Sequence, residues 1–113
     1  MIESFSFGRM VVNGKTYNND LIIYPDGRVQ DSWWRKSGHR MTVQDIAELV
    51  AETPDLIVTG TGVYGYMKPD KAVSQVLKEK DIRFVTEPTG QAWQTYNELA
   101  DGARVGACFH VGC

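Results

Sequence analysis

The sequence predicts an α/β domain in which N-terminal antiparallel hairpins accompany a mixed sheet with three helices packed on it. Two observations carry this. The first 33 residues hold two hairpin signals, Asn13-Gly14 and Pro25-Asp26-Gly27, between runs of period-two character. From Thr42 onward the period changes, and helical stretches alternate with short apolar runs. Hairpins impose antiparallel neighbours, whereas strand–helix–strand links impose parallel ones with right-handed crossovers.

The elements follow in order. Phe5 to Val12 and Lys15 to Tyr17 flank Asn13-Gly14 as a first hairpin. Leu21 to Tyr24 and Val29 to Trp33 form a second, because Pro25 presets φ and Gly27 supplies a positive φ in the turn. These hairpins join the sheet or form an extra layer. Thr42, with Asp45 three residues on, caps a helix predicted over 42–52, whose apolar face is Val43, Ile46, Ala47 and Val50. Asp55 to Thr59 reads as a central strand, followed by a glycine loop over 60–65. Pro69 suits the first turn of a helix over 69–80 with Ala72, Val73, Val76 and Leu77 inward. Ile82 to Thr86 is the next strand. A helix over 89–101 follows, with Ala92, Trp93, Tyr96 and Leu99 inward and Gly102 ending it in left-handed geometry. Arg104 to Val111 is the last strand.

The 113 residues fit a single domain over 1–113, and 42% apolar content supports a core without disulfides. The net charge of −2 argues against nucleic acid as a partner, since each neutralised phosphate needs its own cation. No run of about 18 apolar residues is present, so no membrane span is expected, and the N-terminus reads as free of a signal peptide. Cys108 and Cys113 are the two cysteines, and reduced thiols in the cytoplasm are the simplest reading.

Three segments can carry chemistry. Gly60-Thr61-Gly62-Val63-Tyr64-Gly65 matches a phosphate-cradling G-x-G-x-x-G pattern after a strand. The helix expected to begin inside a dinucleotide motif starts too late, and a second mononucleotide half is missing, so NAD is not expected. The choices are a tight loop needing positive φ or a loop for a small anion. The second segment is Trp33 to Arg40. Its adjacent tryptophans, at a strand end, point to opposite faces. Four Lys or Arg residues lie between Arg28 and Arg40 against Asp31 alone. Arg35 or Arg40 can clamp an anion; the plainer alternative is a solvated loop with arginine stacked on tryptophan. The third is Cys108-Phe109-His110-Val111-Gly112-Cys113. It falls short of the four ligands a structural zinc wants, and no acid is evident behind a Cys113–His110 pair. No metal and no other cofactor is expected, and no catalytic set is recognisable. Asp20, Asp31 and Glu87 read as turn and cap carboxylates with no partner.

The ordered set Pro25-Asp26-Gly27-Arg28, Trp33-Trp34-Arg35, Gly38-His39, Gly60 to Gly65 and His110-Val111-Gly112-Cys113 resembles the family named domain of unknown function 498. Members include a single-domain protein associated with adipogenesis and a mitochondrial respiratory complex I assembly factor. The resemblance spans essentially the whole chain and implies a three-layer fold around a mixed central sheet, with no established enzymatic activity. Gly112 departs from the family pattern, in which many relatives carry a threonine there.

Two functions follow as expectations. One is a non-catalytic interaction or assembly module with a protein partner. The other is a protein or enzyme that takes a small anionic metabolite in a cleft between the glycine loop and Trp33–Arg40. The ligand-contacting candidates are Trp34, Arg35, His39, Arg40, Gly60, Thr61, Gly62, Gly65, His110 and Cys113. Ligands collect beyond the carboxyl ends of parallel strands, an edge that gathers Gly60 to Gly65, the Thr86-Glu87-Pro88 corner and, if the last strand is parallel too, His110 to Cys113, with the Arg35–Arg40 loop able to close over it.

Overall fold

A computed structural model describes residues 1–113. Its strands are β1 (Ile2–Ser6), β2 (Arg9–Val12), β3 (Lys15–Tyr17), β4 (Leu21–Ile23), β5 (Val29–Gln30), β6 (Arg40–Met41), β7 (Leu56–Thr61), β8 (Lys68–Pro69), β9 (Arg83–Glu87) and β10 (Val105–His110). The helices are α1 (Ala47–Ala51), entered through a 3-10 turn over Gln44–Ile46, α2 (Lys71–Glu79) and α3 (Thr89–Ala100). The central sheet has the order β5-β4-β10-β7-β9. β7 pairs in parallel with β10 and β9, while β4 pairs antiparallel with β10 and β5. The mixed sheet, the hairpins and the three helices stand as the sequence predicts.

The first hairpin makes a separate sheet, β1-β2-β3, and the second joins the central sheet. Period-two alternation divides the core between the two faces of that sheet. Leu21, Ile23, Leu56, Val58, Val105, Ala107 and Phe109 meet the small sheet and α3 through Ile2, Met10, Val12, Ala92 and Tyr96. Ile22, Ile57 and Cys108 face the other way, onto Leu49, Val73 and Leu77 of α1 and α2. These are the three layers that the family resemblance implies. Gly106 marks the closest approach of α1, because a Cβ there would sit 2.6 Å from Leu49 Cδ1.

Several local expectations are corrected. Phe5 to Val12 is two strands, because Gly8 turns the chain with φ +75° and donates to Val111 O at 2.8 Å. Trp33 and Trp34 lie beyond β5, not at its end, although one is buried and the other exposed. Pro69 is not in a helix. It pairs in β8 with Met41 of β6, and α2 begins after Asp70. Ala72 is exposed, since the inward face of α2 is the narrower pair Val73 and Leu77. Gly102 ends α3 without entering positive φ. The Thr42–Asp45 box does form: Thr42 N donates to Asp45 Oδ2 at 2.8 Å, and Asp45 N donates to Thr42 Oγ1 at 3.3 Å.

Candidate functional site

The segments singled out from the sequence meet at one edge, beyond the carboxyl ends of β7 and β10. His110 is the last residue of β10. The antiparallel register sets Leu21 opposite Phe109, and so brings Asp20, just before β4, against His110. Asp20 Oδ2 lies 2.9 Å from His110 Nδ1, and Asp20 Oδ1 accepts from Val111 N at 2.8 Å. Arg35 completes the cluster: its Nη2 donates to Asp20 Oδ2 at 2.6 Å and its Nε to Gly38 O at 2.9 Å. The guanidinium lies 4.6 Å from the Trp33 ring centre, and Trp33 is fixed by its own Nε1 donating to Asp45 O at 2.9 Å.

The electrostatics follow from burial. The Arg35 and Asp20 side chains are only 3% and 9% exposed. Burial alone would raise the Asp20 pKa, but hydrogen bonds from His110, Val111 N and Arg35 outweigh it, and the carboxyl is held below its ordinary value. An ionised carboxylate can only accept, so His110 Nδ1 carries a proton and donates to Asp20 Oδ2. His110 Nε2 and Arg35 Nη1 are buried and make no hydrogen bond. An imidazole oriented by a carboxylate is the geometry of a general base, but here its free nitrogen is closed off from solvent.

The glycine segment is organised differently from the expected loop. Gly60 and Thr61 belong to β7. A Cβ at Gly60 would lie 2.7 Å from both Phe109 Cδ1 and Thr89 Oγ1, so close packing of α3 demands glycine there. Gly62, at φ +103°, turns the chain, and Gly65 does so at φ +72°. Their N–H groups are used within the protein. Gly62 N donates to Thr89 Oγ1 at 2.8 Å, Val63 N to Gly112 O at 2.8 Å and Gly65 N to Gly62 O at 3.3 Å. Thr89, fully buried, donates in turn to His110 O at 2.7 Å, tying the loop to the end of β10.

The remaining candidates are surface groups. Arg40 is exposed and paired with Asp70 through two contacts of 2.8 and 2.9 Å. His39 stands edge-on to His110 with ring centres 5.5 Å apart, then Tyr66 at 6.0 Å from His39 and Tyr64 at 5.6 Å from Tyr66. Trp34 and Cys113 are exposed, while Cys108 is buried against Thr59 and Met41. Burial pushes the Cys108 thiol up to about 12. No group of three or more His, Cys, Asp or Glu side chains is placed to hold a metal ion. The glycine loop borders a cleft of 340 Å³ lined by Tyr64, Lys68, Thr86 and Glu87, whereas Trp33 and Trp34 border another of 190 Å³. The two segments therefore line different clefts.

Sequence reading missed Asp20, treating it as a lone turn carboxylate. Its partners lie 15 and 90 positions away, and only the β4–β10 register reveals them. The Tyr64–Tyr66–His39 row was missed as a unit because the β6–β8 pairing brings His39 beside Tyr66.

The family model "Protein of unknown function (DUF498/DUF598)" matches residues 2–110, and the chain belongs to this family. A conserved hypothetical protein from Pyrococcus horikoshii OT3 is 26% identical with a TM-score of 0.87, over 100% of this chain and 99% of that one. The protein MT938 is 30% identical with a TM-score of 0.83, over 100% and 98% of the two chains. A Mth938-like domain protein from Bordetella pertussis shares the fold at 18% identity and a TM-score of 0.65, over 98% and 85%.

Proposed function

We propose that this DUF498/DUF598 family member is a non-catalytic interaction module that docks a folded protein on the aromatic rim of its loop edge. One observation carries the reading. Four aromatic side chains, Phe7, Trp34 and the adjoining pair Tyr64 and Tyr66, are 56–70% exposed. Each sits on a segment anchored at the buried cluster: Phe7 beside Gly8, which bonds Val111 O; Trp34 beside Arg35; and both tyrosines in the loop that Thr89 ties to His110. Exposed aromatics on a rigid base are typical anchors of protein interfaces, where they bury large area at small entropic cost. Two further facts favour this reading over an anion site. Arg35 is answered by Asp20 and Arg40 by Asp70, and the N–H groups of Gly62, Val63 and Gly65 are already bonded. Unbridged Cys108 and Cys113 fit a reducing compartment such as the cytoplasm.

The test is site-specific photocrosslinking in the native cells, with a benzophenone side chain at Tyr66 and, as control, at Lys80 beyond the end of α2. The reading expects one recurrent protein adduct at 66, absent at 80 and lost when Tyr64→Ser is added. Adducts equal at both positions, or indifferent to Tyr64, would count against it.

The small-anion reading keeps one supporting observation, the buried Arg35 Nη1 that makes no hydrogen bond. A bound anion offers that atom an acceptor.

A further inference from the structure

One side of the central sheet ends on β9, which pairs only with β7. Arg83 N donates to Asp55 O at 3.1 Å, and Glu87 O accepts from Thr61 Oγ1 at 3.2 Å. Arg83 and Glu87 therefore turn their backbone groups toward β7, as does Val85 by strand alternation. Phe84 and Thr86 turn theirs outward. No backbone hydrogen bond outside the sheet ladder involves Phe84 or Thr86. The outer side is flanked by open grooves. Ser74, Lys78 and Phe84 line one of 360 Å³, and Lys68, Thr86 and Glu87 line the 340 Å³ cleft. An uncovered edge of this kind is a template for another strand.

We infer that the strand it accepts is β9 of a second copy of this chain, joined antiparallel about a two-fold axis at Val85. The sequence of β9, Arg83-Phe84-Val85-Thr86-Glu87, is complementary to itself in that register. Val85 meets Val85 as a non-hydrogen-bonded pair, as its inward-turned backbone requires. Phe84 and Thr86 of opposite copies then exchange N–H and C=O bonds as hydrogen-bonded pairs. Arg83 of each copy falls opposite Glu87 of the other, so both ends of the junction carry opposite charges. Arg83 makes no ion pair within the chain, and the Glu87 carboxylate accepts only from the neutral Gln91 and Thr95. Shifting the two-fold axis to Phe84 or Thr86 would lose the charge match. An isologous contact of this kind closes on itself and gives a dimer with one continuous sheet, not a filament.

Sedimentation equilibrium of the full chain over a range of concentrations tests the inference. The wild type should approach twice the mass of one chain. Thr86→Pro removes an outward N–H without touching the β7 ladder, so it should leave a folded monomer. Arg83→Glu and Glu87→Arg each place like charges opposite one another and should each weaken self-association on the order of tenfold or more. An equimolar mixture of these two charge variants restores opposite charges at both ends and should associate again as a heterodimer. Circular dichroism confirms that each variant is folded; if Glu87→Arg is not, Thr86→Pro and Arg83→Glu decide the matter. A wild type that stays monomeric at every concentration overturns the inference. So does a dimer indifferent to both Thr86→Pro and Arg83→Glu.

Discussion

Asp20 and His110, ninety residues apart, face each other with Oδ2 2.9 Å from Nδ1, and the buried Arg35 binds the same carboxylate oxygen at 2.6 Å. One carboxylate thus holds the end of the central strand β10, the segment leading into β4 and the loop carrying Trp34. Any surface built on those three segments depends on it.

The first prediction removes that carboxylate's charge. Asp20→Asn leaves the Arg35 guanidinium buried without a counter-charge, and breaking a buried pair from one side costs about 3–5 kcal/mol. Urea unfolding should show a lower midpoint at an unchanged slope, equivalent to a loss of that size, whereas exposed Asp31→Asn should change the unfolding free energy by under about 0.5 kcal/mol. The sign with pH follows from the depressed Asp20 pKa. Its contribution is fully present above the unfolded value of about 3.9 and is lost as pH falls through the lower folded value. Stability of the wild type should therefore fall more steeply below about pH 4 than that of Asp20→Asn. Equal acid sensitivity in the two proteins would contradict the assignment.

The second prediction separates the two thiols. Cys108 is buried in the core with its pKa pushed up to about 12, while Cys113 is exposed. In native protein near neutral pH, iodoacetamide should label Cys113 alone, and mass spectrometry after digestion should find Cys108 modified only once denaturant is added. The linkage sign is opposite to that of Asp20. The neutral buried thiol contributes stability below the unfolded value of about 8.5, and that contribution is lost as pH rises toward 12. Cys108→Ala should flatten the alkaline fall in stability between those limits.

How far the sequence foretold these features depends on the range over which each is encoded. Asn13-Gly14, the Thr42–Asp45 box and the i, i+3, i+4 face at Ile46 and Val50 are local signals, and each found its place. Phe7-Gly8 failed because an apolar run containing one glycine reads as continuous unless the Gly8–Val111 bond is known. Pro69 fits a helix start by local rules, but pairing with Met41 across 28 positions overrides them. At the site, Arg35, His110 and Gly62 were picked out by residue type and do meet at one edge. Their roles depend on Asp20 and Thr89, which carry no motif and are defined only by the β4–β10 register and the approach of α3.

A third prediction concerns the glycines around His110. A Cβ at Gly62 would lie 2.7 Å from His110 Cδ2 and within 3.0 and 3.1 Å of the carbonyl oxygens of Gly112 and Cys113, at φ +103°. Gly62→Ala should cost about 1–3 kcal/mol through strain and displacement of the C-terminal segment. Gly112 differs: it is not at positive φ, and a Cβ there would sit 3.9 Å from the unpartnered His110 Nε2. Gly112→Ser places a hydroxyl, able to donate or accept, within reach of that nitrogen and should stabilise the fold by about 0.5–1.5 kcal/mol. Thermal unfolding of both variants checks the opposite signs. A destabilised Gly112→Ser would show that Nε2 does not need a partner from that side.

The last prediction decides between the docking and anion readings. A phosphate- or carboxylate-bearing ligand at a hundred times its dissociation constant stabilises a folded chain by about 2.7 kcal/mol, a melting shift on the order of 10 °C for a domain of this size. The docking reading expects no member of a broad anionic panel to exceed the small shift given by a kosmotropic salt. The choice of variants follows from the geometry. Arg35→Ala leaves Asp20 buried without its cation and destabilises the protein whether or not an anion binds, so it cannot discriminate. Arg40 is exposed, and Arg40→Ala should leave the melting point nearly unchanged. Tyr66→Ser removes a rim aromatic without touching the buried cluster. A panel member that raises the melting temperature by several degrees and loses its effect in Arg40→Ala would put a ligand site beside that loop. A flat panel, together with loss of the crosslinked partner in Tyr64→Ser, would leave the aromatic rim as the working surface.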